Sequence, residues 1–219
     1  MYFCYRQPPI GPQNSTVFLD VFKEAAVPLI DFSYLKRWQD SLAYPIYSPA
    51  GMHFSRYGLG LMMDTLRSRA EALTGMAVPK PLWRDSIIWE KEPRGMDIEL
   101  MNGSNFFVDP PIDSMPYPVF RFSETQQSPK PKVLVIGDSF YKMLYELDIH
   151  QALWEKGSDY WFYFNIAFPP REGIESNKDM IDWLAKIKQQ DLVVLLCYDT
   201  NLPDFGFGFI EKLYDLIEQ

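Results

Sequence analysis

A serine that follows a buried strand and a tight turn is the residue of this chain best placed to do chemistry. The apolar run at 133–136 predicts a strand, Gly137 permits a sharp turn, and Ser139 stands where the next helix begins. Open α/β folds place ligand sites at the carboxyl edge of the sheet, and a helix N-terminus offers free N–H groups to an oxyanion. Ser139 is therefore a candidate nucleophile, with Asp138 bracing the turn through backbone hydrogen bonds. The alternative is a plain strand–turn–helix junction in which Ser139 caps the helix.

A histidine base for this serine has few candidates, because the chain contains only His53 and His150. Ser55 can cap a helix whose apolar residues recur at helical spacing from position 59 to 73. His53 thus lies in a loop just before a docked helix, from which its ring could reach a neighbouring strand end. His150 falls in or at the end of another predicted helix, and we interpret it as a surface or capping residue.

The elements that must position these residues alternate along the chain. Strands are predicted at 27–32, 133–136, 160–166 and 191–198. Helices are predicted at 15–26, 34–42, 55–74, 141–155, 176–189 and 205–217. Alternation of this kind indicates an α/β protein with a parallel sheet and helices on both faces, in a three-layer, flavodoxin-like arrangement.

One stretch, from about residue 78 to 130, breaks the alternation. It is rich in proline and tryptophan, carries mixed charge and has little sustained period. Because it is longer than an ordinary connection in a compact domain, it is predicted to be an insertion, a lid or a small β subdomain. Residues 1–219 are otherwise interpreted as a single domain.

Composition excludes several classes of protein. A chain of 219 residues with 47% hydrophobic residues can bury a substantial core, and its net charge of −8 argues against a nucleic-acid partner or an anionic membrane surface. No Cys/His cluster accompanies Cys4 or Cys197, so no metal site is predicted. No segment approaches the roughly 20 apolar residues of a membrane span.

Two segments together resemble the SGNH-hydrolase-like family of alginate O-acetylation proteins (AlgX/AlgJ type). In that family an Asp-x-His motif precedes a Gly-Asp-Ser-Phe/Tyr motif. Here the Gly-Met-His-Phe-Ser segment at 51–55 aligns with the first motif and Gly-Asp-Ser-Phe at 137–140 with the second. The resemblance implies the same flavodoxin-like fold and an acyl-serine chemistry.

The resemblance also suggests roles for particular residues. It implies that Ser139 takes the acyl group, that His53 is the base, and that Gly137 and Asp138 support the site. SGNH enzymes use an asparagine as an oxyanion donor, and Asn165 is predicted to end a strand at the same sheet edge as Ser139. A turn-forming role for Asn165 is the alternative, and we favour it because no family motif surrounds that residue.

The chain departs from the family at the acid. The family's acid stands two residues before the histidine, where this chain has Gly51. Asp31, Asp199 or Asp204 could orient the imidazole from another loop, or a backbone carbonyl could do so. A Ser–His dyad of weak activity and a binding domain that has lost the chemistry both fit this departure.

The sequence therefore predicts an O-acetyltransferase or acetylesterase acting on a bacterial surface polysaccharide. The alternative is a catalytically degenerate carbohydrate-binding or assembly protein of a polysaccharide export system. No metal or organic cofactor is implied. A membrane acyl-transfer partner is one option, and the resemblance implies a periplasmic or cell-surface location.

Overall fold

The computed structural model describes residues 14–103, 114–123, 129–170 and 183–218. These segments form a mixed α/β protein. Its helices are α1 (Asn14–Glu24), α2 (Ser33–Trp38), α3 (Arg56–Thr74), α4 (Glu99–Asn102), α5 (Ser139–Glu146), α6 (Ile149–Leu153), α7 (Trp183–Lys188) and α8 (Phe209–Ile217). Its strands are β1 (Pro81–Leu82), β2 (Ile87–Glu90), β3 (Met115–Pro118), β4 (Arg121–Phe122), β5 (Val133–Gly137), β6 (Asp159–Phe162), β7 (Ile166–Phe168) and β8 (Leu192–Leu196).

A four-stranded sheet with the order β7-β6-β5-β8 organises the core. β5 is parallel to both β6 and β8, whereas β7 runs antiparallel to β6. The sheet is therefore mixed, and the prediction of a parallel sheet holds only for its three strands β6, β5 and β8. The predicted strand at 160–166 is instead a hairpin, because the chain reverses through left-handed Tyr163 and Phe164.

Both faces of β5 are covered, and all five of its residues are buried. Because successive side chains point to opposite faces, Val133 and Val135 join one apolar cluster and Leu134 and Ile136 another. The larger cluster contains residues of α3, α5 and α6. The smaller one contains Phe209 and is packed against by further residues of α7 and α8.

The predicted insertion contains two short antiparallel pairs, β1 with β4 and β2 with β3. Between β2 and β3 lie a 3₁₀ turn, Gly95–Ile98, and the single-turn helix α4. The insertion is packed on α3: Trp83 is buried, and its indole lies so close to Gly60 that a side chain at Gly60 would overlap it. This packing fixes the insertion beside the N-terminal half of α3.

Several predicted elements differ from the structure. Residues 27–32, predicted as a strand, form no strand with any described residue, and Pro28 in this segment has no N–H to donate to a sheet. The helix predicted at 141–155 is two helices, α5 and α6, separated at the left-handed Asp148. The helix predicted at 34–42 is α2 followed by a 3₁₀ turn, Gln39–Ser41. The first seven residues of the helix predicted at 176–189, like Cys4, lie outside the described residues.

Candidate active site

The turn that leads to Ser139 joins β5 to α5. Gly137 ends β5, and a side chain there would press on the Leu196 carbonyl oxygen, which lies 3.3 Å from the point that a Cβ would occupy. Asp138, not Ser139, caps α5: its Oδ1 accepts the N–H of Phe140 at 3.0 Å. The alternative that Ser139 is the helix cap is therefore wrong. Ser139 is the first helical residue, where an α-helix leaves its N–H groups without intrahelical partners.

Asp138 ties this turn to the end of β8. Its buried carboxylate accepts the N–H of Tyr198 at 2.6 Å and Nδ2 of Asn201 at 2.9 Å, both through Oδ2. The hydroxyl of Tyr160 donates to the Asp138 carbonyl at 2.6 Å. Asp138 thus braces the turn through backbone hydrogen bonds, as its position in the sequence predicts.

His53 reaches Ser139 from the loop before α3. Nε2 of His53 lies 2.7 Å from Oγ of Ser139, and the histidine is 7% exposed. Ser55 caps α3 by accepting the N–H of Gly58 at 3.1 Å, and its hydroxyl donates to the Pro45 carbonyl at 2.6 Å. These bonds anchor the loop two residues after His53.

The acid of the site is Glu99, which sequence reasoning missed. Oε1 of Glu99 lies 2.7 Å from Nδ1 of His53 and also accepts the backbone N–H groups of Met52 and His53 at 2.5 and 3.2 Å. A carboxylate at Nδ1 holds that nitrogen in its N–H form and leaves the Nε2 lone pair directed at the Ser139 hydroxyl. The three side chains therefore form a Ser–His–Glu chain of hydrogen bonds.

None of the aspartates proposed as orienting acids takes this position. Asp31 accepts the N–H and the hydroxyl of Ser33, both at 2.8 Å, and lines a cleft of about 690 Å³ beside the middle and C-terminal part of α3. Asp199 and Asp204 are exposed, at the two ends of the 3₁₀ turn that follows β8. None of these three aspartates is therefore the acid that orients His53. That acid is Glu99 of the insertion, whose carboxylate lies against Nδ1 of the imidazole.

Gly51 lies tightly against the segment that carries Glu99. The loop at 48–53 runs against the acid-bearing segment: the Ser48 hydroxyl donates to the Asp97 carbonyl at 2.5 Å, and the Leu100 N–H donates to the Ala50 carbonyl at 3.0 Å. A Cβ at Gly51 would overlap the Met96 carbonyl oxygen. An acid at position 51 and Glu99 at Nδ1 of His53 are therefore sterically incompatible in this arrangement.

Asp97, Tyr117, Arg56 and Arg94 form a partly buried polar cluster beside the segment that carries Glu99. Asp97 is 4% exposed, and burial raises its pKa. Tyr117, on β3, accepts the Arg94 N–H at 2.9 Å, and the guanidinium groups of Arg56 and Arg94 each lie 5.2 Å from its ring centroid. Burial is also the main reason that the pKa of Tyr117 is raised to about 12. This cluster links the insertion to the first residue of α3.

The two asparagines at this sheet edge differ in setting. Asn165 is exposed in the β6–β7 turn, where its N–H donates to the Phe162 carbonyl at 2.9 Å. It is thus a turn residue, which agrees with the favoured alternative. Asn201 is half-buried and donates to Asp138, the residue before Ser139. Sequence reasoning did not single out Asn201.

His150 is buried, 3% exposed, which contradicts its interpretation as a surface or capping residue. Trp154 Nε1 donates to the Tyr141 oxygen at 2.8 Å, and the same oxygen lies 2.9 Å from Nδ1 of His150, within hydrogen-bond distance. Burial lowers the pKa of His150 to about 4. It is therefore a neutral structural residue, and His53 is the histidine available to Ser139.

No protein-family model, no curated protein and no solved structure matches this chain. In the described part of the chain, no helix combines the length and apolarity needed to cross a membrane.

Proposed function

We propose that this chain is an SGNH-type acyl-serine enzyme that uses Ser139, His53 and Glu99 as a triad. The observation that carries the proposal is the unbroken hydrogen-bond chain from Glu99 through His53 to Ser139, with 2.7 Å at each step. Three side chains in these roles define acyl-transfer sites on unrelated folds, so geometry supports the proposal independently of sequence motifs. A three-layer, flavodoxin-like arrangement is part of the same proposal, supported by apolar clusters on both faces of β5.

In the first half-reaction, Nε2 of His53 takes the proton of the Ser139 hydroxyl as Oγ attacks the acyl carbonyl carbon. The resulting oxyanion is held by the Ser139 N–H and by a second donor. We assign that second role to Asn201, whose Nδ2 carries another hydrogen besides the one given to Asp138. The His53 imidazolium then protonates the leaving alcohol oxygen, and the acyl group remains on Ser139 as an ester.

In the second half-reaction, a hydroxyl group attacks the acyl-serine while His53 takes its proton, and Oγ of Ser139 leaves with that proton. If the hydroxyl belongs to water, the enzyme is an esterase and the product is a carboxylic acid. If it belongs to a sugar, the enzyme is an O-acyltransferase and the product is a new ester. We propose an acetyl group and a bacterial surface polysaccharide, in the periplasm or at the cell surface, on the sequence resemblance alone.

The alternative, a degenerate binding or assembly protein, rests on the missing acid at Gly51. Glu99 at Nδ1 of His53 removes that reason, so acyl-serine chemistry is the function we put forward.

The proposal is tested by hydrolysis of 4-nitrophenyl acetate by wild type, Ser139→Ala and His53→Ala, with Ser68→Ala as an exposed serine control on α3. We expect both site variants to fall to the background rate and Ser68→Ala to match wild type. Equal rates in all four proteins, together with no acetyl adduct on Ser139 by mass spectrometry, would favour the binding role.

A further inference from the structure

One exposed aromatic ring lies beside the catalytic pair. Tyr198 follows β8, and the residue is 41% exposed. Its ring stacks on Phe140 with centroids 4.7 Å apart and planes inclined by only 9°. The Phe140 ring in turn lies 4.8 Å from the ring of His53. The exposed part of Tyr198 is therefore one ring away from the base that serves Ser139.

Tyr198 is held at both its backbone and its ring. Its N–H donates to Oδ2 of Asp138 at 2.6 Å, and its ring rests on Phe140. Phe140 is packed edge-on by Phe54 at 5.3 Å, and Tyr47 stacks on Phe54 at 5.0 Å. A ring fixed before a ligand arrives loses little conformational entropy on binding, which favours affinity.

Burial and the neighbouring Tyr198 hydroxyl raise the pKa of Tyr47 to about 12. Tyr47 is therefore uncharged at neutral pH, so it adds no negative charge to the stacked aromatic rings near His53. The face of a neutral, partly exposed aromatic ring is a surface on which another flat ring can stack.

We propose that Tyr198 is a stacking platform for a flat ring in the alcohol part of the ester substrate. The chemistry it recognises is a ring with an apolar face, which either the C–H face of a pyranose or an arene can supply. The platform deepens the proposed function and rests on it for one point only, namely that the ester carbonyl sits at Ser139. Tyr198 is then a specificity-determining residue, because it selects esters by the ring they carry.

The test compares kcat/KM for three acetates: vinyl acetate, which has no ring, phenyl acetate, and an acetylated methyl β-xylopyranoside. Tyr198→Leu keeps an apolar cover on Phe140 but removes the ring, whereas Tyr198→Phe keeps the ring. Tyr214→Leu removes a 63%-exposed tyrosine from α8 as the control. A stacked ring contributes the equivalent of about a two- to tenfold change.

The quantity compared is kcat/KM on a ring-bearing acetate divided by kcat/KM on vinyl acetate. We expect Tyr198→Leu to lower this ratio by about two- to tenfold, mainly by raising KM for the ring-bearing acetate. Tyr198→Phe and Tyr214→Leu should keep the wild-type ratio. The acetate whose ratio falls, phenyl or pyranosyl, identifies the source of the ring. Unchanged ratios for both substrates would overturn the platform, as would an equal loss on vinyl acetate, which would mean a packing role.

A binding measurement separates failure of the platform from failure of the enzyme. If wild type is no faster than Ser139→Ala on vinyl acetate, the proposed chemistry fails and the kinetic ratios lose their meaning. Saturation-transfer NMR to methyl β-xylopyranoside and to phenol then decides the platform. Transfer in wild type that is lost in Tyr198→Leu and kept in Tyr198→Phe supports it, and equal transfer in all three proteins overturns it.

Discussion

Oε1 of Glu99 lies 2.7 Å from Nδ1 of His53, although 46 residues separate the two along the chain. The same oxygen accepts the N–H groups of Met52 and His53, so one carboxylate orients both the imidazole ring and the loop that carries it. One carboxylate therefore connects the insertion to His53 and to its loop.

Replacing Glu99 by glutamine should lower kcat by roughly 10³- to 10⁴-fold, because an amide does not stabilise the imidazolium that forms on His53. Glu99→Asp keeps the charge on a shorter side chain and should fall between wild type and Glu99→Gln. The measurement is kcat for 4-nitrophenyl acetate, with exposed Glu92→Gln as the control. A Glu99→Gln enzyme within a factor of three of wild type would remove Glu99 from the triad.

Placing an acid at position 51 should destabilise the protein. Gly51→Asp would drive a Cβ into the Met96 carbonyl oxygen and displace the segment that carries Glu99, at a cost of about 1–3 kcal/mol in unfolding free energy. The double variant Gly51→Asp/Glu99→Gln should be no faster than Glu99→Gln alone. Recovery of activity in the double variant would mean that position 51 can still supply the acid.

Asp138→Asn should destabilise the protein by about 2–3 kcal/mol, because the buried carboxylate accepts three N–H groups and an amide offers one oxygen. Urea unfolding measures the change. Exposed Asp199→Asn is the matched control and should stay within about 0.5 kcal/mol of wild type. Equal stability of the two variants would mean that Asp138 does not brace the turn.

Stability should fall in mild acid because of His150. Its folded pKa of about 4 lies below the ordinary value of 6.5, so the unfolded chain binds a proton at a pH where the folded protein does not. The stabilisation is complete above pH 6.5 and is lost as the pH falls to about 4, by about 3 kcal/mol. Urea titrations across this range should show a steeper loss for wild type than for His150→Gln, which cannot take up the proton. If the unfolding free energies of wild type and His150→Gln fall in parallel with pH, His150 is not the cause of the loss.

The serine–histidine pair could be predicted because both residues stand at recognisable junctions. A buried strand, a glycine and a helix start identify Ser139, and only two histidines compete to be its base. The structure then brings Ser139 and His53 into contact across 86 residues. Glu99 gives no such signal, since a glutamate in a polar, proline-rich insertion has the pattern of an ordinary surface charge. The glycine at position 51, next to an aligned histidine motif, is the one clue that the acid has to come from elsewhere.

The errors in the fold have local causes. The sequence at 160–166 is largely apolar and aromatic, and only the left-handed conformations of Tyr163 and Phe164 turn it into a hairpin. Neither residue is a glycine or asparagine, so they give no sequence signal of the reversal, and only the adjacent Asn165 indicates a turn there. A lone histidine near acidic residues is usually solvated, which is why the sequence favours a surface position for His150. Its burial depends on Tyr141 and Trp154, whose contacts with it are tertiary.

The three members of the site come from three separate segments: the loop before α3, the insertion, and the turn after β5. No two of them are held together by a shared helix or strand, so correct alignment requires all three segments to be docked at once. Turnover by the proposed triad consequently requires that all three segments are docked at the same time. As denaturant is added, we expect turnover to disappear before the circular dichroism of the helices does, because loosening of any one segment suffices to misalign the proton relay.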